Sequence, residues 1–414
     1  MREKIITTLR ILTGLLFVFS GFVKCVDPIG GAIKVEDYFV AWGWENIPFG
    51  VCLALSFVQN IVEFAVGYML IVNVGKRVAS TLAMLFMCFY TPLTLYIAIA
   101  NPVSDCGCFG DAIKLTNWQT FWKNAIFLPI SIVLFLNKNL YRKRMSLWRK
   151  TAILTIGILT AILLSVKGIT DEPIIDFRPY SVGTDINAAM RIPDDAPLPE
   201  YKTTFILEKD GEQREFDETN YPYEDSTWVY IDSKTEVISE GYIPPIADFP
   251  LTDAEDNIVS EHILQSEKDI VLAISPKVED ISSEHLSVLT YMAEAMAVKD
   301  KEMYIVTASG SASQQQTNNT ANYTFSYLQG DETMLKTITR SNPGIIIVQN
   351  GTIIAKYHIN HLPIQGFIEN PLSTNLTNIV DENVRLTILS AIFAMAFMIL
   401  LLNNKKRQPR NRKE

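Results

Sequence analysis

Two thiols stand one residue apart in Asp105-Cys106-Gly107-Cys108-Phe109-Gly110-Asp111, a short polar stretch between two long apolar runs. That spacing suits thiol–disulfide exchange. Each sulfur lies beside its own potential partner, and on the oxidising side of a membrane such a pair cycles between dithiol and disulfide. A bridge between residues i and i+2 closes a small strained ring, and strained bridges are the more oxidising ones. Gly107 eases the backbone into such a ring, because glycine tolerates unusual dihedrals. The competing readings are a structural disulfide to another loop, or two idle thiols. Cys25 ends the first apolar run beside Lys24, a cation that favours its thiolate. It is a candidate third thiol that relays to Cys106 or Cys108; the alternative is a packing residue. Cys52 and Cys88 lie inside apolar runs and read as small core residues. His262, His285, His358 and His361 do not pair with cysteines at ligand spacing, and a zinc site takes four ligands, so no metal is expected. A Gly-rich phosphate loop and a Gly-x-Ser-x-Gly motif are both absent, which leaves nucleotide and hydrolase chemistry without support.

The elements that must hold these thiols are membrane spans. Hydrophobic residues make up 48% of the 414 positions and mean hydropathy is +0.16, yet 20% are charged, so the average hides two regions. Most acidic residues fall between Gly168 and Glu382, and the acidic excess behind the chain's net charge of −9 belongs to that window. It has no concentrated basic face, so nucleic acid is not an expected partner. Six runs are long enough to cross a bilayer, which takes about 20 residues. They cover about Ile5–Val23, Phe49–Val72, Val78–Ala100, Phe121–Leu136, Thr151–Val166 and Leu386–Leu402. Arg2, Lys4 and Arg10 flank the first. Lys76 and Arg77, then residues 138–150, then residues 405–413 make every second connection basic. By the positive-inside rule both termini are cytoplasmic, and the Cys106/Cys108 loop and residues 168–383 lie outside. The first run also resembles a signal peptide, but Ser20-Gly21-Phe22-Val23-Lys24 is a poor cleavage site and the stretch before Cys25 a poor lipobox, so a retained helix is expected. Val35 to Trp42 reads as a short amphipathic helix at the interface. Glu63 is an intramembrane carboxylate, either functional or an interhelical hydrogen-bonding group.

Past Gly168 the pattern changes to short strands. Lys202–Glu208 and Thr227–Ile231 read as strands, with Asp210-Gly211 as a hairpin signal. Then follow strand Ile270–Ile274, helix Ser283–Val298, strand Met303–Thr307, a polar loop Ser309–Asn322, helix Asp331–Arg340, strand Ile345–Val348, turn Asn350-Gly351 and strand Thr352–Tyr357. The expected units are a membrane domain at 1–140, a fifth span at 141–167, a β-rich segment at 168–240, an α/β domain at 241–383, and a sixth span with a basic tail at 384–414.

The order strand–helix–strand–helix–Pro–strand–turn–strand resembles a thioredoxin-like fold, with Pro343 in the place of its cis-proline. Pro245-Ile246-Ala247-Asp248-Phe249-Pro250 resembles the entry of the peroxiredoxin/ResA-like branch. Ser275-Pro276-Lys277-Val278 stands where that fold carries Cys-x-x-Cys, and residues 168–383 hold no cysteine. Such a domain cannot exchange dithiols itself; the resemblance implies a binding groove at Pro343, Ser275 and Pro276. Residues 1–140 resemble the DoxX/MauE group of four-helix membrane proteins, through Gly14, Phe19-Ser20-Gly21-Phe22 and Lys24 and through Cys106-Gly107-Cys108-Phe109-Gly110-Asp111. That resemblance implies an α-helical membrane bundle carrying two further spans and an extracytoplasmic α/β thioredoxin-like domain. It also implies a multi-pass inner-membrane location and a part in periplasmic redox maturation, as for methylamine dehydrogenase. Two functions follow. In one, the Cys-Gly-Cys loop exchanges disulfides with an exported client protein, and a membrane quinone is the acceptor its position allows; no cofactor-binding motif is evident. In the other, the protein is a non-enzymatic scaffold whose α/β domain binds a periplasmic partner.

Overall fold

The computed structural model describes residues 1–362 except 45, 104, 139–145, 199 and 240. The sixth expected span, the end of the α/β domain near 383 and the basic tail lie outside the described residues.

Five helices among the described residues are long and apolar enough to cross a membrane: α1 (Arg2–Val26), α3 (Phe49–Val72), α4 (Lys76–Ala100), α5 (Asn117–Leu136) and α6 (Leu147–Thr170). Each extends a few residues past its apolar run or matches it. α5 begins early because Thr116 and Gln119 form a reciprocal capping box, with bonds of 3.2 and 3.0 Å. Without a hydrophobic drive between helices in lipid, small residues let backbones approach. α1 and α3 pack in that way. A methyl group on Gly21 would run into the Phe64 backbone, and one on Gly67 into that of Val18.

α2 (Pro28–Ala41) follows α1 after the single residue Asp27. The sequence places this helix only from Val35. It starts earlier because Asp27 caps it, accepting from Gly30 N at 2.8 Å, and because Pro28 suits the first helical position. Gly31 lies inside the helix against the Ser56 hydroxyl.

Beyond α6 come α7 (Ile186–Met190), then β1 (Glu200–Lys209), β2 (Glu212–Asp217) and β3 (Val229–Ser239), an antiparallel sheet in the order β2-β1-β3. A second sheet holds β4 (Leu251–Thr252), β5 (Ile270–Ile274), β6 (Met303–Thr307), β7 (Tyr327–Gly330), β8 (Gly344–Gln349) and β9 (Thr352–His358), in the order β4-β7-β6-β5-β8-β9. β5, β6 and β7 run parallel, while β8 pairs antiparallel with β5 and β9 with β8. β5 is buried on both faces. Ile270, Leu272 and Ile274 point into one core with Tyr180, Ile186 and Phe249. Val271 and Ala273 point into the other, against Leu286, Leu289, Met292 and Met296 of α9 (Ser283–Val298). Tyr180 and Ile186, which the composition assigns to the β-rich segment, therefore pack with the α/β core. α8 (Ser260–Gln265) and α11 (Glu332–Ile338) cover the first face. Residues 309–322, expected as a loop, contain α10 (Ser311–Ala321), closed by Asn322 in the left-handed conformation. Its sequence is polar on nearly every side and only Thr317 is buried, so it shows no apolar period. Asn342–Pro343 is cis and immediately precedes β8.

Candidate functional site

The loop between α4 and α5 lies at the end of the bundle that carries the α/β unit. Cys106 and Cys108 are free thiols with sulfurs 2.9 Å apart. Elements distant in sequence fix the loop. Ser20 of α1 donates to Cys108 O at 2.6 Å, and Tyr38 of α2 donates to Cys106 O at 3.1 Å. Lys34 of α2 pairs with Asp105 Oδ2 at 3.0 Å, while Asp105 Oδ1 accepts from Gly107 N at 2.8 Å. Gly107 sits at φ +64°, so the tight Cys-Gly-Cys turn needs a residue at ease in the left-handed region. Phe109 packs edge-on to Phe19 at 5.3 Å and lies under the Lys123 ammonium at 4.3 Å. The two segments that carry the DoxX/MauE resemblance thus form one structure.

The two thiols titrate as a pair. Their mutual hydrogen bond pulls Cys108 down to about 6, helped by the Lys123 and Lys24 charges and opposed by burial. The same bond, together with burial, pushes Cys106 well above the ordinary thiol range. Burial, with Cys106 beside it, also raises Tyr38, which stays a protonated donor.

Below the loop, on the membrane side, is a chamber of about 490 Å³. Cys106, Gly107 and Cys108 form part of its wall. Lys24 of α1 and Glu63 of α3 form another part, paired at 2.8 Å with side chains 10% and 6% exposed. Asn60 donates to Lys24 O at 3.0 Å and fixes the helix end beneath the ion pair. The remaining lining is mainly apolar.

Above the loop is a polar cavity of about 360 Å³ between the bundle and the α/β unit. Arg340, just after α11, spans it. Its guanidinium binds Asp27 at 2.8 to 3.1 Å and Asp111 Oδ2 at 3.1 Å. Arg340 overcomes the effect of burial and holds the Asp27 carboxyl below the usual carboxylate range. Glu172 accepts from Thr339 Oγ1 at 2.7 Å and from Arg178 at 2.7 Å, which continues the contact behind it.

Other expected site residues fall elsewhere. Cys25 is not brought to the pair: it is fully buried, packed against Phe64 and Ala161, and it does not line the chamber. Lys24, its expected activator, is engaged by Glu63. Cys52 is buried as expected, but Cys88 is exposed on α4, where one helical face is left for lipid. Ser275 and Pro343 do meet, through Asn342, whose Oδ1 accepts from Ser275 Oγ at 2.6 Å. Both are buried, however, and the Ser275 hydroxyl is spent internally; the half-buried Pro276 and Asn342 form the surface there. Sequence reasoning missed Lys34, Tyr38, Asn60 and Lys123 as neighbours of the thiols. It had no signal for them, since each acts from another helix.

Residues 2–137 match the family model described as Methylamine utilisation protein MauE, and residues 201–240, mostly the β2-β1-β3 sheet, match one described as Domain of unknown function (DUF8463). Neither a curated protein nor a solved structure matches the chain. With five membrane-capable helices, this is a multi-pass membrane protein whose N-terminal bundle is similar to MauE.

Proposed function

We propose that this protein is a membrane-bound thiol–disulfide exchange component acting through Cys106 and Cys108. One observation carries the reading: two free sulfurs 2.9 Å apart at the end of the bundle, one of them drawn towards the thiolate. With the pair oxidised, a client thiolate attacks Cys106. The Cys106–Cys108 bond breaks, and Cys108 departs as the thiolate because the sulfur of lower pKa is the better leaving group. The client's second thiolate then attacks its own mixed-disulfide sulfur. The client is left oxidised by two electrons and the loop as a dithiol.

In this reading the bundle lies in the inner membrane, with the loop and the α/β unit on the periplasmic side. The alternating basic connections support that orientation. The α/β unit is a thioredoxin-like domain without thiols, supported by the parallel β5–α9–β6 unit, the antiparallel β8–β9 pair and the Ser275–Asn342 contact. Its part is to hold a client near the loop.

The test is trapping with a reduced dithiol peptide and the full chain in lipid nanodiscs. Cys108→Ala, under oxidising conditions, should accumulate a reductant-sensitive adduct through Cys106. Cys106→Ala should accumulate far less, and the double variant none. A wild-type protein that leaves the peptide reduced after being oxidised itself would refute the reading and leave the scaffold alternative.

A further inference from the structure

Once it has oxidised a client, the loop is a dithiol and must lose two electrons to act again. The described residues of the α/β unit offer no cysteine for this, and Cys25 is packed away from the pair. The thiols do border the chamber, and the chamber's shape says what it takes. Its lining includes Trp42 just after α2, Leu55 and Val58 of α3 and Phe89 of α4, which are 45%, 48%, 59% and 60% exposed. These side chains belong to the faces that the bundle turns towards lipid, so the chamber opens sideways into the bilayer. Its volume of about 490 Å³ falls within the ~300–1,000 Å³ range of small-molecule sites. Deep inside are the two sulfurs and a cation. The Lys24 ammonium has three donors, one of them on Glu63 Oε2. An occupant that suits this lining enters from the lipid phase, is largely apolar, and carries an oxygen acceptor at the end that meets Lys24.

We propose that the chamber binds a lipid-soluble quinone and that the Cys106/Cys108 dithiol reduces it; this rests on the exchange reading above. The step balances. The two thiols give up two electrons and two protons as the Cys106–Cys108 bond forms. The quinone takes up both electrons and both protons and leaves as the quinol. Lys24 donates to the quinone oxygen, which becomes more negative as reduction proceeds, and Glu63 holds the ammonium in place. Lys24 is a positioning and charge-stabilising group; the sulfurs are the reacting atoms.

The experiment uses full-length protein, reduced and freed of reductant, in nanodiscs, with decylubiquinone as the probe and its absorbance as the readout. The wild type should reduce one quinone per chain. Cys108→Ala should reduce no quinone above background, since the Cys106–Cys108 bond cannot form. Leu93→Trp, on the chamber wall, should raise the quinone concentration that gives half the maximal single-turnover rate about tenfold with the saturated rate little changed, and Leu93→Phe should raise it less, since both remove binding space and no reacting group. In parallel, the oxidised protein is offered the dithiol peptide. Peptide oxidation without quinone reduction would overturn the quinone site and leave exchange standing. Failure of both would overturn both. Quinone reduction insensitive to Leu93→Trp and Leu93→Phe would place the reaction outside the chamber and also overturn the proposal.

Discussion

Two tight corners of this molecule hold nucleophile-type side chains at close range, and they differ in what surrounds them. At the Cys106–Cys108 corner the backbone is tied down by Ser20, Tyr38 and Asp105, while both sulfurs face a chamber. At the Ser275 corner the hydroxyl itself is the tie: it donates to Asn342 Oδ1 or to Lys277 O, and the residue is fully buried. The first corner spends backbone groups on rigidity and leaves its side chains free to react. The second spends its side chain on rigidity. Under the proposed exchange reading, chemistry falls to the bundle and architecture to the α/β unit.

The contrast breaks most sharply under mutation of the reactive atoms. Cys106→Ala or Cys108→Ala should take peptide oxidation to background, whereas Ser275→Ala should leave the rate unchanged and cost about 1 kcal/mol of α/β stability, the worth of an ordinary hydrogen bond. Loss of exchange with Ser275→Ala would erase the distinction. Next in size is the buried pair under the thiols. Lys24→Met strands Glu63 and should destabilise the bundle by about 3–5 kcal/mol, read as a fall in thermal midpoint in detergent; Lys24→Met with Glu63→Gln should recover most of it. Smaller again is the contact between the regions. Arg340→Ala should cost about 2 kcal/mol and increase hydrogen exchange of residues 27–37 and 105–111 without altering exchange within β5.

The smallest effect is on pH dependence. Alkylation of Cys108 should rise with pH around 6 rather than near the ordinary ~8.5 of a thiol. A thiol lowered by folding adds stability above the ordinary value and loses it as pH falls through about 6. Cys106, raised by folding, opposes this at high pH, so the net change in thermal midpoint should be slight even though the alkylation profile moves.

Much of this was readable from the chain. Apolar length alone located five spans, because a bilayer imposes a fixed thickness. Cys106-Gly107-Cys108 announced itself, because the motif is local. Strands β5, β6 and β9 were legible from short apolar or alternating runs. The ion pair was not. Lys24 and Glu63 are 39 positions apart, and what joins them is the close approach of α1 and α3 at Gly21 and Gly67, which no spacing rule links. Likewise the sequence places α2 only from Val35, whereas the Asp27 cap starts it at Pro28 and the space beside Ser56 admits Gly31 within it.

Asp27 has a mechanical consequence. One of its oxygens caps the first turn of α2, and the carboxylate also grips Arg340 of the α/β unit. Fourteen residues of helix, about 21 Å at the standard rise, then run out from that anchor, carrying Lys34 and Tyr38 to the backbone and carboxylate of the thiol loop. The α/β unit thus holds α2 at two points, since Lys336 also pairs with Glu36 at 3.6 Å. One stiff helix therefore links the position of the α/β unit to the backbone that sets the two sulfurs.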